Sequence, residues 1–128
     1  MEEEPRRCSI ATKTCVIVED QYLTAEALEL AVSSLGVDVL GHARDADEAE
    51  DKVLELRPDI VFMDVKLGRG RDGIDVSLAI APKSDARIIF VTGSKEPDTM
   101  RRIASDHPFR VLFKPFKLNE LREAIDAA

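Results

Sequence analysis

Short apolar runs alternate with longer amphipathic segments along most of the chain, starting near residue 14. The apolar runs predict β-strands, and apolar residues three and four positions apart in the segments between them predict helices. Gly36 closes the first of these segments, and Pro58 and Pro82 directly follow the next two, as is typical of helix ends. The predicted strands cover residues 14–20, 37–43, 59–64, 86–92 and 109–114, and the predicted helices cover residues 22–36, 45–57, 73–81, 97–107 and 118–128.

Five strands alternating with five helices predict an α/β fold, in which helices cover both faces of a parallel sheet. The run Ile88–Val91 contains no polar residue, as expected for a strand buried on both faces. Residues 1–13 are polar and aperiodic, and we expect them to form a flexible tail before a single domain at residues 14–128. A chain of 128 residues is long enough for one hydrophobic core and too short for two ordinary domains.

Charge and composition narrow the function classes. The formal net charge of −7 argues against non-specific binding to nucleic acid, which needs a basic surface, and against binding to an anionic membrane. The first residues, MEEEPRRC, lack the apolar core of a secretion signal, and no apolar run approaches the ~18 residues of a membrane span. Cys8 and Cys15 are interpreted as reduced thiols. We therefore expect a cytoplasmic protein with no nucleic-acid partner and no membrane partner.

Polar residues stand at the ends of four of the five predicted strands. Glu19 and Asp20 end the first strand, Asp64 the third, Thr92 the fourth and Lys114 the fifth. The carboxyl ends of parallel strands share one edge of the sheet, where α/β proteins bind their ligands. Any one of these residues alone is more often a turn or cap residue. Their joint occurrence favours a shared site.

The residue types at this edge predict phosphoryl chemistry. Three carboxylates repel one another, and their hard oxygen atoms are ligands that favour Mg²⁺. A carboxylate beside Mg²⁺ can attack phosphorus and form an aspartyl phosphate. Lys114 would then supply a cation, and Thr92 a hydroxyl donor, to the phosphoryl oxygens.

The segments VIVED, PDIVFMDVKL, DGIDV, IIFVTG and LFKPF, in this order, resemble the receiver domain of two-component response regulators. The resemblance covers about residues 14–128 and implies a flavodoxin-like fold with the sheet order 2-1-3-4-5. It also implies a role for each residue at the strand ends. By position, Asp64 resembles the phosphoacceptor, Glu19 and Asp20 resemble the acidic pair that holds Mg²⁺ with Asp64 and the backbone carbonyl of Lys66, Thr92 resembles the switch hydroxyl, and Lys114 resembles the lysine that precedes a cis proline, here Pro115.

The resemblance further implies partners. A receiver accepts its phosphoryl group from a histidine kinase or a histidine phosphotransfer protein. No output domain follows the last helix in this sequence, so we expect a stand-alone receiver that contacts an unidentified target through the face formed by residues 93–128.

The sequence departs from the family pattern at two points. Val111 occupies the position where many receivers carry an aromatic residue that moves inward on activation, although Phe113 shares its strand face. Gly93 directly follows Thr92, which resembles a receiver subfamily with this Thr-Gly pair. We therefore expect signalling to depend on rearrangement of residues 93–100. Lys66 is either a solvated lysine or a residue that affects the lifetime of the phosphoryl group.

Two other patterns carry less weight. GRGRDG at residues 68–73 has the spacing of a dinucleotide-binding motif, but that motif follows the first strand of its fold rather than the third. We interpret it as a turn before the next helix, with Arg69 and Arg71 either solvated or in contact with an acidic partner. His42 and His107 lack the spacing of metal ligands.

Two alternative functions remain open. A phosphatase of the haloacid dehalogenase type also forms an aspartyl phosphate, but it needs a second aspartate two positions after the first as general acid. That position holds Lys66. A receiver-like binding module that is never phosphorylated is disfavoured by the complete set of polar residues at the strand ends.

Overall fold

The computed structural model describes residues 12–68, 70–106 and 108–128. Five parallel strands form one sheet in the order β2-β1-β3-β4-β5. This confirms the predicted α/β, flavodoxin-like fold and its sheet order. The strands are β1 (Thr14–Val18), β2 (Asp38–Ala43), β3 (Ile60–Met63), β4 (Arg87–Thr92) and β5 (Arg110–Phe113), and the helices are α1 (Tyr22–Ser34), α2 (Ala46–Leu56), α3 (Gly73–Ile80), α4 (Pro97–Asp106) and α5 (Leu118–Ala127).

Every predicted strand and helix is present, with small differences at the ends. β1 ends at Val18 and β3 ends at Met63, so the acidic residues that follow them lie in loops. α3 ends at Ile80 and continues as a short 3₁₀ turn, Ala81–Lys83. Pro82 lies within this turn, where its missing N–H is tolerated better than inside an α-helix.

The core has two layers because side chains alternate between the faces of the sheet. Val16, Val18, Val61, Met63 and Phe90 pack with buried residues of α2, α3 and α4. The alternate positions of the same strands pack with buried residues of α1 and α5. All four residues of β3 are buried, as the uninterrupted apolar run predicts for a central strand.

Cys15 lies in the second layer and is a free, fully buried cysteine. Burial raises the pKa of its thiol to about 12, and the nearby charges of Glu29 and Asp38 add to the rise. The thiol is therefore neutral and unreactive at physiological pH. Cys8 lies outside the described residues.

The predicted tail, residues 1–13, falls mostly outside the described residues, which begin at residue 12. The backbone carbonyl of Lys13 accepts a hydrogen bond from the Asp38 amide (2.9 Å). Its ammonium donates to the carbonyls of Ile125 (2.6 Å) and Ala128 (2.8 Å). Lys13 therefore ties the start of β1 to the end of α5.

Gly68 and residues 70–72 lie in the connection between β3 and α3, where the sequence predicts a turn. Gly68 and Gly70 have φ values of +87° and +82°, in the left-handed region that favours glycine. Gly73 begins α3, and its amide donates to the carbonyl of Val65 (2.7 Å). A Cβ atom at Gly73 would lie 2.1 Å from the backbone oxygen of Asp64. The last glycine of the pattern is thus required by close backbone packing, and no nucleotide role is needed to explain it.

Arg71 is solvated only in part, because its side chain is 38% exposed and its charge is paired with carboxylates. Its guanidinium donates to Glu50 (2.8 Å) and Asp47 (2.7 Å) of α2, and these hydrogen bonds raise its pKa. The contact joins the β3–α3 loop to α2. Arg69 lies outside the described residues.

Among the described residues, no helix combines the length and the apolar character that crossing a membrane requires.

Candidate functional site

The carboxyl ends of four strands bring the predicted site residues to one edge of the sheet. Glu19 and Asp20 follow β1, Asp64 follows β3, Thr92 ends β4 and Lys114 follows β5. Backbone hydrogen bonds continue past the strands at three of these points. The amide of Glu19 donates to the carbonyl of Ala43 (3.0 Å), that of Asp64 to the carbonyl of Val18 (3.0 Å) and that of Lys114 to the carbonyl of Thr92 (2.8 Å). The sheet itself therefore positions these residues.

Lys114 bridges two of the carboxylates. Its ammonium lies 2.9 Å from Oε1 of Glu19 and 3.3 Å from Oδ2 of Asp64. Burial acts to lower the pKa of Lys114, but the hydrogen bond to Glu19 and the charge of Asp64 outweigh it, so the pKa lies above its ordinary value. Glu19 is only 5% exposed, and a carboxylate buried to that extent requires such a partner. Lys114 is thus held as a cation at the strand ends.

Three carboxylates converge beside Lys114. Glu19, Asp20 and Asp64 each offer one oxygen atom, and these atoms lie within 4.8 Å of one another. Partial desolvation raises the pKa of Asp20, although its side chain is exposed, and the neighbouring Glu19 raises it further. A cluster of hard oxygen ligands with mutual repulsion fits a divalent cation such as Mg²⁺. Within the described ranges, no other group of three or more histidine, cysteine, aspartate or glutamate side chains converges in this way.

An open cleft of about 430 Å³ lies above Asp64. Thr92 is 1% exposed, and its Oγ1 accepts a hydrogen bond from the amide of Ser94 (3.1 Å). Within the described residues the Thr92 hydroxyl accepts this hydrogen bond and donates none, so its proton is available to a ligand in the cleft. The lining residues are Asp64, Lys66, Thr92, Gly93, Ser94, Lys95, Glu96 and Lys114.

The outer side of the cleft is formed by Lys66 and Glu96. The amide of Lys66 lies 3.4 Å from Oδ1 of Asp64, and its ammonium lies 3.5 Å from Oε1 of Glu96. The two paired side chains are 66% and 68% exposed. Sequence reasoning singled out Lys66 but missed Glu96, because no motif or periodicity links residues that lie 30 positions apart.

The surroundings of Thr92 reflect the absence of an aromatic residue at Val111. Val111 is partly buried and packs against the core layer of α2, α3 and α4. Phe113 pairs with Thr92 across the two strands, and the ammonium of Lys95 lies 5.1 Å from the centre of its ring. The aromatic side chain nearest to Thr92 along β5 therefore contacts the loop that follows Thr92. The peptide bond between Lys114 and Pro115 is cis, as expected.

The histidines lie outside this cluster or outside the described residues. His42 is on β2, and its Nε2 lies 2.6 Å from Oε1 of Glu29 on α1. It belongs to no converging group of metal ligands within the described ranges. His107 is not among the described residues.

Comparison with known proteins identifies the family. The sequence model of the response regulator receiver domain family matches residues 15–126 of this chain. The transcriptional regulatory protein PdtaR of Mycobacterium tuberculosis is 35% identical over 113 residues, which is 88% of this chain and 55% of that protein. An uncharacterised response regulatory protein of Vibrio cholerae is 26% identical over 88% of this chain and 46% of its own length. The chain thus spans about half the length of these curated relatives.

Solved structures agree with this result. The signal receiver domain of a modulated diguanylate cyclase from Desulfovibrio desulfuricans superimposes with a TM-score of 0.85 and is 35% identical; the match covers 91% of this chain and 93% of that one. The receiver domain of NarL from Mycobacterium tuberculosis has a TM-score of 0.82 at 24% identity, over 91% of this chain and 94% of that one, and shows the shared fold. The chain belongs to the receiver domain family of response regulators. Receivers are the phosphate-accepting domains of two-component signalling and bind Mg²⁺ at an acidic pocket, which matches the cluster of Glu19, Asp20 and Asp64.

Proposed function

We propose that this chain is a phosphoacceptor switch, which takes a phosphoryl group onto Asp64 from the phosphohistidine of a histidine kinase or a histidine phosphotransfer protein. The observation that carries the proposal is the position of the Asp64 side chain. It is 13% exposed, lies in an open cleft and is within 3.3 Å of the Lys114 ammonium. A carboxylate that is oriented by a cation and still accessible is suited to nucleophilic attack.

In the proposed reaction, a carboxylate oxygen of Asp64 forms a bond to phosphorus. The bond between phosphorus and the imidazole nitrogen breaks, and its electron pair stays with the nitrogen. Lys114 and the hydroxyl of Thr92 donate hydrogen bonds to the phosphoryl oxygens and stabilise the charge that develops on them.

The acidic cluster supports a role for Mg²⁺ in this reaction. We propose that Glu19, Asp20, Asp64 and the backbone carbonyl of Lys66 hold the ion. When bound, Mg²⁺ supplies positive charge that offsets the repulsion between the carboxylates and the incoming phosphoryl group. Glu19 is oriented for this role by the ammonium of Lys114 and by the amide of Gln21, which donates to its Oε2 (3.1 Å).

An apolar groove next to the site suits the phosphodonor. Leu118 of α5 lines this groove and is 51% exposed. The groove measures about 300 Å³, lies between α1 and the start of α5, and reaches Glu19 and Lys114. We propose that a helix of the donor protein packs along this groove, which places its phosphohistidine over Asp64. Such partners imply a cytoplasmic location.

The output surface is proposed to be the face of residues 93–128. Its first residues line the cleft directly after Thr92, so a phosphoryl group in the cleft contacts the start of this face. An unidentified target protein would bind there and distinguish the phosphorylated form.

The deciding experiment is phosphorylation with acetyl phosphate or phosphoramidate in the presence of Mg²⁺, followed by intact mass measurement. We expect one phosphoryl group on the wild type and none on Asp64→Asn, because the amide lacks a nucleophilic oxygen. Asp51→Asn removes an exposed carboxylate of α2 and serves as the control that keeps full incorporation.

The two alternatives predict different results, one in this assay and one in a turnover assay. A binding module that is never phosphorylated would bind Mg²⁺ and show no incorporation in any variant. A phosphatase would turn over small phosphate esters such as p-nitrophenyl phosphate. Either result would overturn the proposed function.

A further inference from the structure

Glu96 holds Lys66 at the entrance of the cleft. The two side chains form an ion pair at 3.5 Å, and both line the cleft above Asp64. The amide of Lys66 lies 3.4 Å from Oδ1 of Asp64. The cation next to the proposed acceptor is thus already paired with a carboxylate of another segment.

A phosphoryl group on Asp64 would compete for this cation. It carries a charge of about −2 and three strong acceptor oxygens, whereas Glu96 carries a single negative charge. The pair of Lys66 and Glu96 is exposed and contributes little free energy, because water screens it. The attraction of a lysine to the more highly charged group in the cleft is stronger.

We propose that Glu96 is a positioning residue: phosphorylation of Asp64 transfers the ammonium of Lys66 from Glu96 to the phosphoryl oxygens and releases Glu96. This inference rests on the proposed function of Asp64. In this exchange, on the outer side of the cleft, the phosphoryl group replaces Glu96 as the negative partner of Lys66.

Glu96 is placed to pass this exchange on to α4. Its backbone carbonyl accepts the hydrogen bond from the amide of Met100 (2.9 Å), so Glu96 is the N-cap residue of α4. The Glu96 amide lies 3.4 Å from Oγ of Ser94, and that hydroxyl lies 3.4 Å from the Glu96 carboxylate. The amide of Ser94 in turn donates to Oγ1 of Thr92 (3.1 Å).

Two groups that flank Asp64 therefore act on one segment. Thr92 holds the segment through Ser94, and Lys66 holds it through Glu96. A phosphoryl group that attracts both Thr92 and Lys66 would change both contacts at once. Residues 94–96 would then move together with the first turn of α4. This provides a route to the output face in a chain with Val111 in place of an aromatic residue.

The test is the affinity for fluoroberyllate, a phosphoryl mimic, in the presence of Mg²⁺, measured by ¹⁹F NMR. We expect Glu96→Gln to bind it about twofold to fivefold more tightly than the wild type, since the variant no longer loses the Lys66 pair on binding. Asp98→Asn is the matched control. It removes a carboxylate from the first turn of the same helix, where Asp98 pairs with Arg101, and its affinity should equal that of the wild type.

A double-mutant cycle isolates the exchange. In a Lys66→Ala background, Glu96→Gln should leave the affinity unchanged, because the cation that is exchanged is missing. Amide NMR signals of residues 94–97 should shift on fluoroberyllate binding in the wild type and shift less in Lys66→Ala.

The outcomes separate this inference from the proposed function. If the wild type binds fluoroberyllate and Glu96→Gln binds it with the same affinity, or if Asp98→Asn reproduces the gain, the exchange is refuted and the function of Asp64 stands. If the wild type does not bind fluoroberyllate at all, both fail together.

Discussion

The two sides of the cleft above Asp64 are built differently. The inner cluster, formed by Glu19, Asp64 and Lys114, has side chains that are 5%, 13% and 28% exposed and contacts of 2.9 and 3.3 Å. The outer pair, Lys66 and Glu96, is about two-thirds exposed and has a contact of 3.5 Å.

The difference has a physical cause. Charges inside a protein must stay paired, because an unpaired buried charge is costly. Exposed charges can exchange one partner for another or for water at little cost. The inner cluster is therefore suited to holding the reacting groups in fixed positions. The outer pair is suited to a change of ionic partner.

Disturbing the backbone that carries Asp64 should have the largest effect on the free energy of unfolding. In Gly73→Ala, the new Cβ would lie 2.1 Å from the oxygen of Asp64 and 2.8 Å from Cγ of Met63. The backbone of Asp64 or the start of α3 must then shift, and we expect a loss of about 3 kcal/mol in the free energy of unfolding, measured with urea.

Gly93→Ala is the control on the outer side of the cleft. A Cβ at Gly93 would have no heavy atom within 4 Å, so its free energy of unfolding should stay within about 0.5 kcal/mol of the wild type. Equal effects at the two glycines would show that the inner side is not the more tightly packed one.

Gly73 also illustrates how far the sequence predicts the site. Apolar runs reveal central strands because such strands are buried on both faces, and the polar residues at their ends then fall on one edge. The Asp72-Gly73 pair predicts a turn before α3. The reason for Gly73, close contact with the backbone of Asp64, depends on tertiary packing that no local pattern encodes.

Contacts between long charged side chains were the least predictable feature. The pairs of Arg71 with α2 and of Lys66 with Glu96 join residues that are 21 to 30 positions apart. A sequence pattern is compatible with many different pairings of such charged surface residues. The geometry of the folded chain decides which charge each one meets.

Replacing the cation of the inner cluster should have the next largest effect. Lys114→Met leaves the buried carboxylate of Glu19 without its ionic partner, and we expect a loss of about 2 kcal/mol in the free energy of unfolding without Mg²⁺. Lys66→Met, which removes the cation of the outer pair, should change it by less than about 0.5 kcal/mol.

The pH dependence gives a second readout for Lys114. Its pKa in the folded state lies above the ordinary value of 10.5. The folded state therefore binds the proton more tightly than the unfolded state, and the stabilisation is complete below pH 10.5 and lost as the pH rises through the folded pKa. The stability gap between wild type and Lys114→Met should narrow in that alkaline range. A gap that is constant across it would mean that the ion pair does not stabilise the fold.

The smallest effect on the free energy of unfolding is expected for a change at Asp20, where the sign of that effect is informative. Partial desolvation and the nearby Glu19 raise the pKa of Asp20 in the folded state. The unfolded chain thus loses the proton at lower pH than the folded chain, so stability falls as the pH rises through this range, and the ionised Asp20 is destabilising at neutral pH.

Without Mg²⁺, Asp20→Asn should therefore be more stable than the wild type at pH 7, by a few tenths of a kcal/mol because Asp20 is exposed and water screens its charge. In millimolar Mg²⁺ the order should reverse, since the ion stabilises the folded protein that binds it more tightly. Urea unfolding with EDTA and with Mg²⁺ measures both values, and Asp126→Asn, an exposed carboxylate of α5, should show no reversal. A variant that stays more stable than the wild type in Mg²⁺ would remove Asp20 from the ion's ligands. Asp20 would then be a structural neighbour of the inner cluster and not a ligand of its metal site.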